Sequence, residues 1–539
     1  MDTKVYLLNV PLESDQKHTL YFTNKEEQQA YFESKIVKSY TNSTYQRKDS
    51  IIRVPDNYDN ISPTVNYVMY QNPSFSNKWF YAFITEVEYK NTETTWIHIE
   101  TDVIQTWLFD YTLKPSFVER EHVSDDTIGI HTVPEQLETG DYIINTINKN
   151  KDLTDPVVVM ASTIDPTVQE GKLVGGSVAG GTYNGVMCGY KYYTYKRSMN
   201  SKLTEVLKAF SNDGKADAIG MIFLAPRKLV DVGTVENYED YDDAMVEESI
   251  DPVTFGWGEA EGTADGKIKK LTNINGYEPK NNKLFTYPYC YLAMTNNNGG
   301  NAIYKYELFD STDCNFNITG VISPSMDIIC VPRNYNGSGE LVPNYHESLT
   351  CGKFPICGWT SDAYTNWLTQ NAVNYASNVI GATIQTGLGV VSMFDPIPGN
   401  ELGGVMAVTS GVQNIANSVG EVYKHSLVPM QAEGNVNCGN VQFSNLNTTF
   451  TAYGMSIKSE YAQIIDKYFD MFGYKVNMVK VPNKEHRNSY WYTKTLDVNI
   501  DGAIPNNDMQ KIKNCYNNGI TFWVNPNEIQ DYSIPNGIV

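Results

Sequence analysis

A long stretch from Phe354 to Tyr423 constrains this chain more than any other feature of its sequence. It contains no lysine and no arginine, and its only acidic residues are Asp362, Asp395, Glu401 and Glu421. Charge is plentiful elsewhere, since the whole chain has 62 acidic and 41 basic residues. Glycine and polar residues interrupt the stretch too often for an ordinary membrane span, and its apolar content is too high for an ordinary linker.

Within that stretch, apolar residues recur at helical spacing in two stripes. The stripes are Val373, Ala376, Ile380 and Ile384, followed by Val405, Val408, Val412, Ile415, Val419 and Val422. The prolines and glycine of DPIPGN, residues 395–400, predict a turn between them. The pattern therefore predicts two amphipathic helices in a hairpin. The same spacing also fits an ordinary coiled-coil hairpin inside or between subunits.

The rest of the chain has the composition of a β protein. Only 19% of the residues are charged, 12% are aromatic, and 38 are tyrosine. Aromatic and β-branched side chains pack well on a pleated surface, so this composition favours sheets. A single core does not suffice for 539 residues, because domains rarely exceed about 250–300 residues. We expect a mainly β, multidomain protein.

The clearest strand signal lies in WFYAFITEVEYK, residues 79–90. Its odd positions are mostly apolar, whereas its even positions begin apolar at Phe80 and end charged at Lys90. This pattern predicts a strand that is buried on both faces at its start and half-exposed at its end. The polar residues Asn91–Thr94 predict a turn, and TWIHIETD then resumes the alternation. Together the two segments predict a β-hairpin.

Other segments predict a second domain and two further helices. Between residues 150 and 345, glycine-rich and acidic loops separate short apolar strands, which predicts a domain with long surface loops. A helix is predicted at Ser201–Phe210, where apolar residues share one face. The β pattern returns after residue 431, together with a helix at Ser459–Phe472 that Gly473 ends as a C-cap.

The net charge of −21 limits the class of partner. Duplex binding needs clustered Lys and Arg that displace counterions, and the sequence has no such cluster. The eight cysteines are sparse and form no C-x-x-C pair, which favours buried reduced thiols over a zinc site. The N-terminal apolar run is too short for a secretory signal, so we expect the chain to be made in a cytoplasm.

The sequence offers little that predicts catalysis. It has no phosphate-binding loop, no H-E-x-x-H motif and no EF-hand loop. GGSVA, at Gly175–Ala179, nearly matches a nucleophile elbow, but Ala179 stands where glycine is required. The acidic run between Glu239 and Glu248 matches no calcium loop and is more simply a solvated surface. We therefore expect no enzyme activity, no metal and no cofactor.

Several longer segments together resemble a known family. NKWFYAFITEVEYK, HIETDVIQTWLFD and FVEREHV are similar to the tail-knob protein of small short-tailed bacteriophages, the podoviruses of the picovirus type that infect Gram-positive hosts. YPYC, MFGYKVNMVKVPN and NNGITFWVNP continue the similarity in the same order to near the C-terminus. The similarity is strongest at the two ends of the chain and weakest through 150–345.

The resemblance implies a homo-hexameric distal tail tube through which double-stranded DNA leaves the virion without specific binding. The implied partners are the upstream tail tube or connector proteins and the host cell membrane. The protein would reside in the virion tail after assembly in the host bacterial cytoplasm. The implied fold has β-barrel or sandwich tube domains. Residues 1–150, 346–370 and 429–539 would form the tube, and residues 151–345 an inserted peripheral knob domain.

The resemblance also implies that residues 371–428 plug the tube and later insert in the host membrane as a pore. The membrane-active residues would be Val373, Ala376, Ile380, Ile384, Leu388, Val390, Val391, Met393, Phe394, Val405, Met406, Val408, Val412, Ile415, Val419 and Val422. Charged side chains are costly to bury, and small residues let helices pack closely in lipid. The absence of lysine and arginine therefore agrees with both environments.

Two other functions remain open from the sequence. A tail-borne cell-wall hydrolase would need a carboxylate or Cys/His constellation. A receptor-binding tail adhesin would use the central domain to bind a cell-wall polymer. Neither alternative explains why Phe354–Tyr423 lacks basic residues.

Overall fold

The computed structural model divides the chain into two compact units. The first comprises Met1–Asp141, Gly276–Thr286 and Lys458–Val539, and the second comprises Tyr142–Asn275 and Tyr287–Ile457. The residues that the structure describes are 3–41, 44–46, 50–61, 63–71, 78–150, 156–176, 181–183, 186–188, 191–195, 200–215, 218–229, 246–248, 253–257, 268–297, 299–320, 328–337, 343–351, 359–360 and 450–539. The predicted helical hairpin, at 371–428, lies outside them.

The strands of the described residues are numbered in chain order. The first ten are β1 (Lys4–Leu8), β2 (His18–Leu20), β3 (Ile36–Thr41), β4 (Thr44–Gln46), β5 (Ile51–Val54), β6 (Tyr67–Gln71), β7 (Trp79–Asn91), β8 (Thr94–Thr101), β9 (Tyr111–Leu113) and β10 (Ser116–Glu121). Next come β11 (Tyr142–Lys149), β12 (Pro156–Ser162), β13 (Val168–Gln169), β14 (Lys172–Leu173), β15 (Gly181–Tyr183), β16 (Val186–Cys188), β17 (Lys191–Tyr195), β18 (Ile219–Pro226), β19 (Val246–Glu248), β20 (Val253–Gly256) and β21 (Ile268–Lys269). The remainder are β22 (Cys290–Thr295), β23 (Asn301–Tyr304), β24 (Asp313–Gly320), β25 (Ile328–Arg333), β26 (Leu349–Cys351), β27 (Trp359–Thr360), β28 (Thr451–Ile457), β29 (Tyr474–Lys480), β30 (Tyr490–Leu496), β31 (Ile500–Gly502) and β32 (Ile520–Trp523).

The described α-helices are fewer than the strands, and the longest has 14 residues. They are α1 (Lys25–Ser34), α2 (Tyr58–Ile61), α3 (Val103–Trp107), α4 (Asn200–Asn212), α5 (Ser459–Phe472) and α6 (Asn506–Asn518). The prediction of a mainly β, multidomain protein is confirmed. The predicted five-part division stays a prediction, since two of its borders fall outside the described residues.

The first unit contains two larger sheets that share their cores and the small antiparallel pair β31-β9. A seven-stranded sheet has the order β3-β1-β6-β7-β8-β5-β4, and a five-stranded sheet has the order β2-β32-β30-β10-β29. Adjacent residues of β30 and β32 enter different cores: Trp491 and Phe522 lie in one cluster, whereas Tyr490 and Trp523 lie in the other. Because successive side chains of a strand point to opposite faces, both faces of this sheet are packed where these residues lie.

The hairpin predicted at residues 79–101 is confirmed by β7 and β8, which pair antiparallel. At the start of β7, the residues from Phe80 to Phe83 are all buried, and the strand becomes exposed after Ile84. This change matches the predicted loss of apolar residues at the even positions. A bulge between Ile84 and Glu86 shifts the register at the same place, where buried strand gives way to exposed strand.

Both predicted helices outside the uncharged stretch are present. Helix α4 spans Asn200–Asn212 and buries Val206, Leu207 and Phe210 on one face. Helix α5 ends where predicted: Gly473 has a φ of 63° and its backbone N–H donates to the carbonyl oxygen of Phe469 at 2.8 Å. A Cβ on Gly473 would collide with the backbone of Glu121, so both conformation and space require glycine here.

The second unit contains three larger sheets and two small hairpins. The larger sheets have the orders β11-β28-β22-β23, β19-β17-β12-β18-β27 and β20-β24-β25-β26, with β21 also pairing with β24. The hairpins are β13-β14 and β15-β16. The expectation of buried thiols holds for the cysteines of this unit whose side chains the structure describes. Cys290, Cys314, Cys330 and Cys351 are all buried and lie outside any disulfide.

Candidate functional site

The residues predicted to be membrane-active, from Val373 to Val422, all lie outside the part of the chain that the structure describes. The same is true of most of the acidic run, although Glu247 and Glu248 lie on β19 and pair with β17. The near-elbow GGSVA begins at Gly175, which is described, and continues beyond the described residues. These predicted sites therefore stay predictions.

A different feature stands out in the first unit, at residues 276–286. We call these residues the excursion segment. The chain passes from the second unit into the first between residues 275 and 276, and it returns to the second unit between residues 286 and 287. It contains a single short 3₁₀ helix, Asn282–Phe285. Buried backbone outside regular structure pairs its polar groups with side chains or water. Here, acidic side chains from distant parts of the first unit accept from backbone N–H groups of the segment.

Asp466 is the main acceptor for the excursion segment. It lies on the buried face of α5 and is only 1% exposed. One carboxylate oxygen accepts from the Tyr277 hydroxyl at 2.7 Å and from the Lys280 backbone N–H at 2.8 Å. The other accepts from the backbone N–H of Asn281 at 3.1 Å and from its side-chain Nδ2 at 2.8 Å. Four donors therefore satisfy one buried carboxylate.

Two further aspartates extend this contact. Asp470, one turn after Asp466, accepts from the side-chain Nδ2 of Asn281 at 2.9 Å. Asp126 accepts from the backbone N–H of Asn282 at 3.0 Å and from the Tyr474 hydroxyl at 2.6 Å. Burial raises the pKa of both Asp126 and Asp470, because a charged carboxylate loses its water there.

A buried ion cluster completes the network. The carboxylate of Glu135 binds both the Arg120 guanidinium and the Lys283 ammonium, and it also accepts from the backbone N–H of Lys475 at 2.9 Å. The side chains of all three charged residues are at most 8% exposed. Burial lowers the pKa of Lys283, and the neighbouring Glu135 charge opposes that shift. One anion between two cations leaves no carboxylate oxygen of Glu135 unpaired.

We call the set Arg120, Asp126, Glu135, Lys283, Asp466 and Asp470 the anchor network. Its carboxylates are engaged by donors from the excursion segment and its surroundings, so the arrangement supports fixation of the chain and not acid–base catalysis. Among the described residues, no group of three or more His, Cys, Asp or Glu side chains could hold a metal ion. No helix within the described ranges is long and apolar enough to cross a membrane.

Sequence patterns did not reveal the anchor network. Asp466 and its partners in the excursion segment are 185 to 189 residues apart in the chain, and no local periodicity connects them. One signal was available: Asp466 interrupts the apolar face of a well-predicted helix, and a buried aspartate needs donors. The sequence YEPKNN at Tyr277–Asn282 offers such donors but gives no sign of which carboxylate they meet.

Comparisons with known proteins agree over nearly the whole chain. Residues 259–537 match the family model described as Bacillus phage phi29, tail knob protein gp9, C-terminal domain. Residues 2–112 match the model of the caudoviral major tail protein N-terminus. Two curated relatives are tail knob proteins gp9. The protein of Bacillus phage PZA is 28% identical and that of Bacillus phage phi29 is 27% identical, each across 98% of this chain and 97% of the relative.

One solved structure shares the fold. It is the bacteriophage C1 tail knob protein gp12, with a TM-score of 0.65 and 16% sequence identity, and the match covers 100% of both chains. At this identity the likeness concerns the fold alone.

Proposed function

The chain belongs to the phage tail knob protein family represented by gp9 of phi29, and we propose that six copies form a distal tail tube through which the genome leaves the virion. As a tail knob protein, it is a structural component of the podovirus tail and not an enzyme. The observation that carries the proposal is the match to tail knob proteins across 98% of the chain.

The charge of the chain suits a tube for DNA. A ring of six copies would have a formal charge of 6 × −21 = −126. Such an acidic wall would repel the phosphate backbone and let DNA pass without specific binding. The tube would join upstream tail tube or connector proteins on one side and reach the host membrane on the other. Assembly would take place in the host bacterial cytoplasm.

The proposal includes a role for residues 371–428 as a plug that later forms a membrane pore. Its support is the sequence: Phe354–Tyr423 contains no lysine or arginine, whose burial would cost several kcal/mol each. In lipid, backbone groups must be satisfied internally, and helices achieve this. Small residues on the remaining helix faces would allow close association in the bilayer.

Two measurements test these claims separately. Native mass spectrometry with negative-stain imaging of the purified chain should give a particle near six times 60.7 kDa with a central channel. A monomer or a trimer without a channel would contradict the tube. Deletion of Asn371–Val428 should leave the hexamer intact but abolish dye release from liposomes that the full-length chain permeabilises. Equal dye release by both proteins would exclude the pore role while leaving the tube in place.

A further inference from the structure

One side of the four-stranded sheet β11-β28-β22-β23 is apolar and exposed. On β22, Leu292 and Met294 point into the core and are at most 1% exposed, whereas Tyr291 and Ala293 alternate with them and are only partly buried. Because side chains alternate between faces along a strand, Tyr291 and Ala293 mark the outer side of the sheet.

The strand register places further apolar residues on that side. Residues directly opposite each other on neighbouring strands share a face. The two resulting rows, read from β11 across the sheet, are Ile144–Met455–Tyr291 and Ile147–Tyr453–Ala293–Ile303. Neither row contains a charged residue. Ile144, Ile147 and Ile303 are each more than half exposed. We call these two rows the apolar sheet face.

Aromatic residues enlarge the apolar sheet face. The ring centroids of Tyr142 and Tyr291 are 5.5 Å apart, and those of Tyr287 and Tyr291 are 5.9 Å apart. Both pairs pack edge to face. The three isoleucines are each about half exposed, and the other residues of the face expose smaller fractions. The exposed apolar area is therefore about 600 Å², which is the upper limit of the range for the largest apolar patch on a typical monomer. A standard interface buries about 800 Å² on each partner, so this face supplies most of one side.

A second copy of the chain fits this face better than a lipid surface does. Within the described residues, β11 pairs only with β28 and β23 only with β22, so the sheet has two open edges. Open edges leave backbone groups without partners in a hydrocarbon layer, which disfavours insertion in lipid. Copies that each carry a net charge of −21 repel one another, and an uncharged face is where such copies approach at least cost.

A closed ring needs two different surfaces on each copy, because a ring forms through a head-to-tail contact. The first unit has a second group of exposed apolar residues. Leu496, Phe117 and Val479 lie directly opposite one another on β30, β10 and β29, and they are 59%, 36% and 70% exposed. Strand β29 ends its sheet among the described residues. We call these three residues the edge row.

We infer that the apolar sheet face of one copy packs against the edge row of the next copy, and that this contact repeats around the ring. The inference deepens the proposed tube and depends on it, since it names the surfaces through which the six copies meet. Val481, which is 46% exposed and lies two residues after Val479, would enlarge the contact.

Single substitutions test each surface. Ile147→Lys places a charge on the apolar sheet face, and Val479→Lys places one on the edge row. Lysine lowers the negative charge of the chain, so a loss of assembly would not reflect added repulsion. Each variant should raise the protein concentration for half-maximal assembly at least tenfold in analytical ultracentrifugation, since the contact would bury an unpaired charge. The control is Ile464→Lys on α5, a residue that is 65% exposed and outside both surfaces. It should change assembly less than twofold.

A mixture of the two variants tests whether the contact is head-to-tail. Ile147→Lys retains an intact edge row, and Val479→Lys retains an intact apolar sheet face, so an equal mixture should form one good contact and sediment as a dimer. A mixture that stays monomeric would overturn the pairing of these two surfaces. Rings that persist in both single variants would overturn the inference but not the tube. A wild-type chain that remains monomeric would overturn both. Unchanged circular dichroism spectra would show that each variant folds.

Discussion

The anchor network predicts that Asp466→Asn destabilises the first unit although the change is isosteric. The carboxylate oxygen that accepts from the Lys280 backbone N–H and the Tyr277 hydroxyl would become an NH₂ donor if the amide kept its other oxygen on Asn281. The tyrosine hydroxyl can turn and accept from that NH₂, but the Lys280 N–H cannot. In one amide orientation the NH₂ group faces the backbone N–H of Lys280, and in the other it faces the backbone N–H of Asn281. At least one backbone donor therefore loses its acceptor in either orientation.

The magnitude follows from the number of donors that lose an acceptor. A buried polar group left without its partner costs about 1–3 kcal/mol, and the loss of the charge weakens the remaining hydrogen bonds. We therefore expect the free energy of unfolding to fall by about 2–4 kcal/mol. For a unit of this size, each 1 kcal/mol lowers the midpoint temperature by roughly 2–4 °C, so the transition should move down by about 4–16 °C.

Differential scanning calorimetry of the full chain measures this shift, and limited proteolysis within residues 276–286 reports release of the excursion segment. The matched control is Asp501→Asn, because the Asp501 side chain is 73% exposed and its ion pair with Lys114 lies at the surface. It should change stability by less than about 0.5 kcal/mol. If Asp466→Asn melts like the control and its excursion segment is cleaved no faster than in wild type, the anchoring role is refuted.

Three other predictions concern single residues of the first unit. Burial lowers the pKa of His122 from 6.5 to about 3, so neutral His122 contributes stability above its unfolded pKa that is lost as the pH falls. The free energy of unfolding, measured in urea, should be about 2 kcal/mol lower at pH 5 than at pH 7. The variant His122→Gln should not show this difference. Burial raises the pKa of Asp102 from 3.8 to about 6, so its stabilising protonated form is lost as the pH rises. Asp102→Asn, which keeps a side-chain acceptor for the Gln105 N–H, should raise the free energy of unfolding by about 1–3 kcal/mol at pH 8 and much less at pH 4. An equal gain at both pH values would contradict this. Gly473→Ala should cost about 2–4 kcal/mol in thermal unfolding, because the residue has a positive φ and its Cβ would meet the backbone of Glu121.

Local features of the fold were predictable because local physics determines them. The hairpin of β7 and β8 follows from period-two alternation and a polar turn, and α5 follows from helical spacing that ends at a glycine. Each signal lies within a few residues of the structure that it predicts. The family could also be predicted, because long segments of similar sequence occur in the same order.

Long-range pairings were not predictable by the same means. Strand β28, from Thr451 to Ile457, pairs with β11, which lies some three hundred residues earlier in the chain. No pattern within either strand specifies the other, since an apolar alternating segment can pair with many partners. Residues Tyr142–Lys149 belong to the second unit because β11 joins its four-stranded sheet through β28.

The polar character of the anchor network indicates specificity more than stability. Replacing a buried ion pair by well-packed apolar residues is often neutral or stabilising, whereas removal of one partner is costly. An apolar contact would hold the excursion segment in several registers at similar free energy. The four donors around Asp466 require one register, because their positions along Tyr277–Asn281 match two oxygens of a single carboxylate. Glu135 adds a second fixed point through Lys283. The contacts of Asp466 and Glu135 together fix the position of the excursion segment, which has no strand pairing of its own. On both sides of this segment the chain continues into the second unit. The network thus determines where that chain begins and ends its path through the first unit.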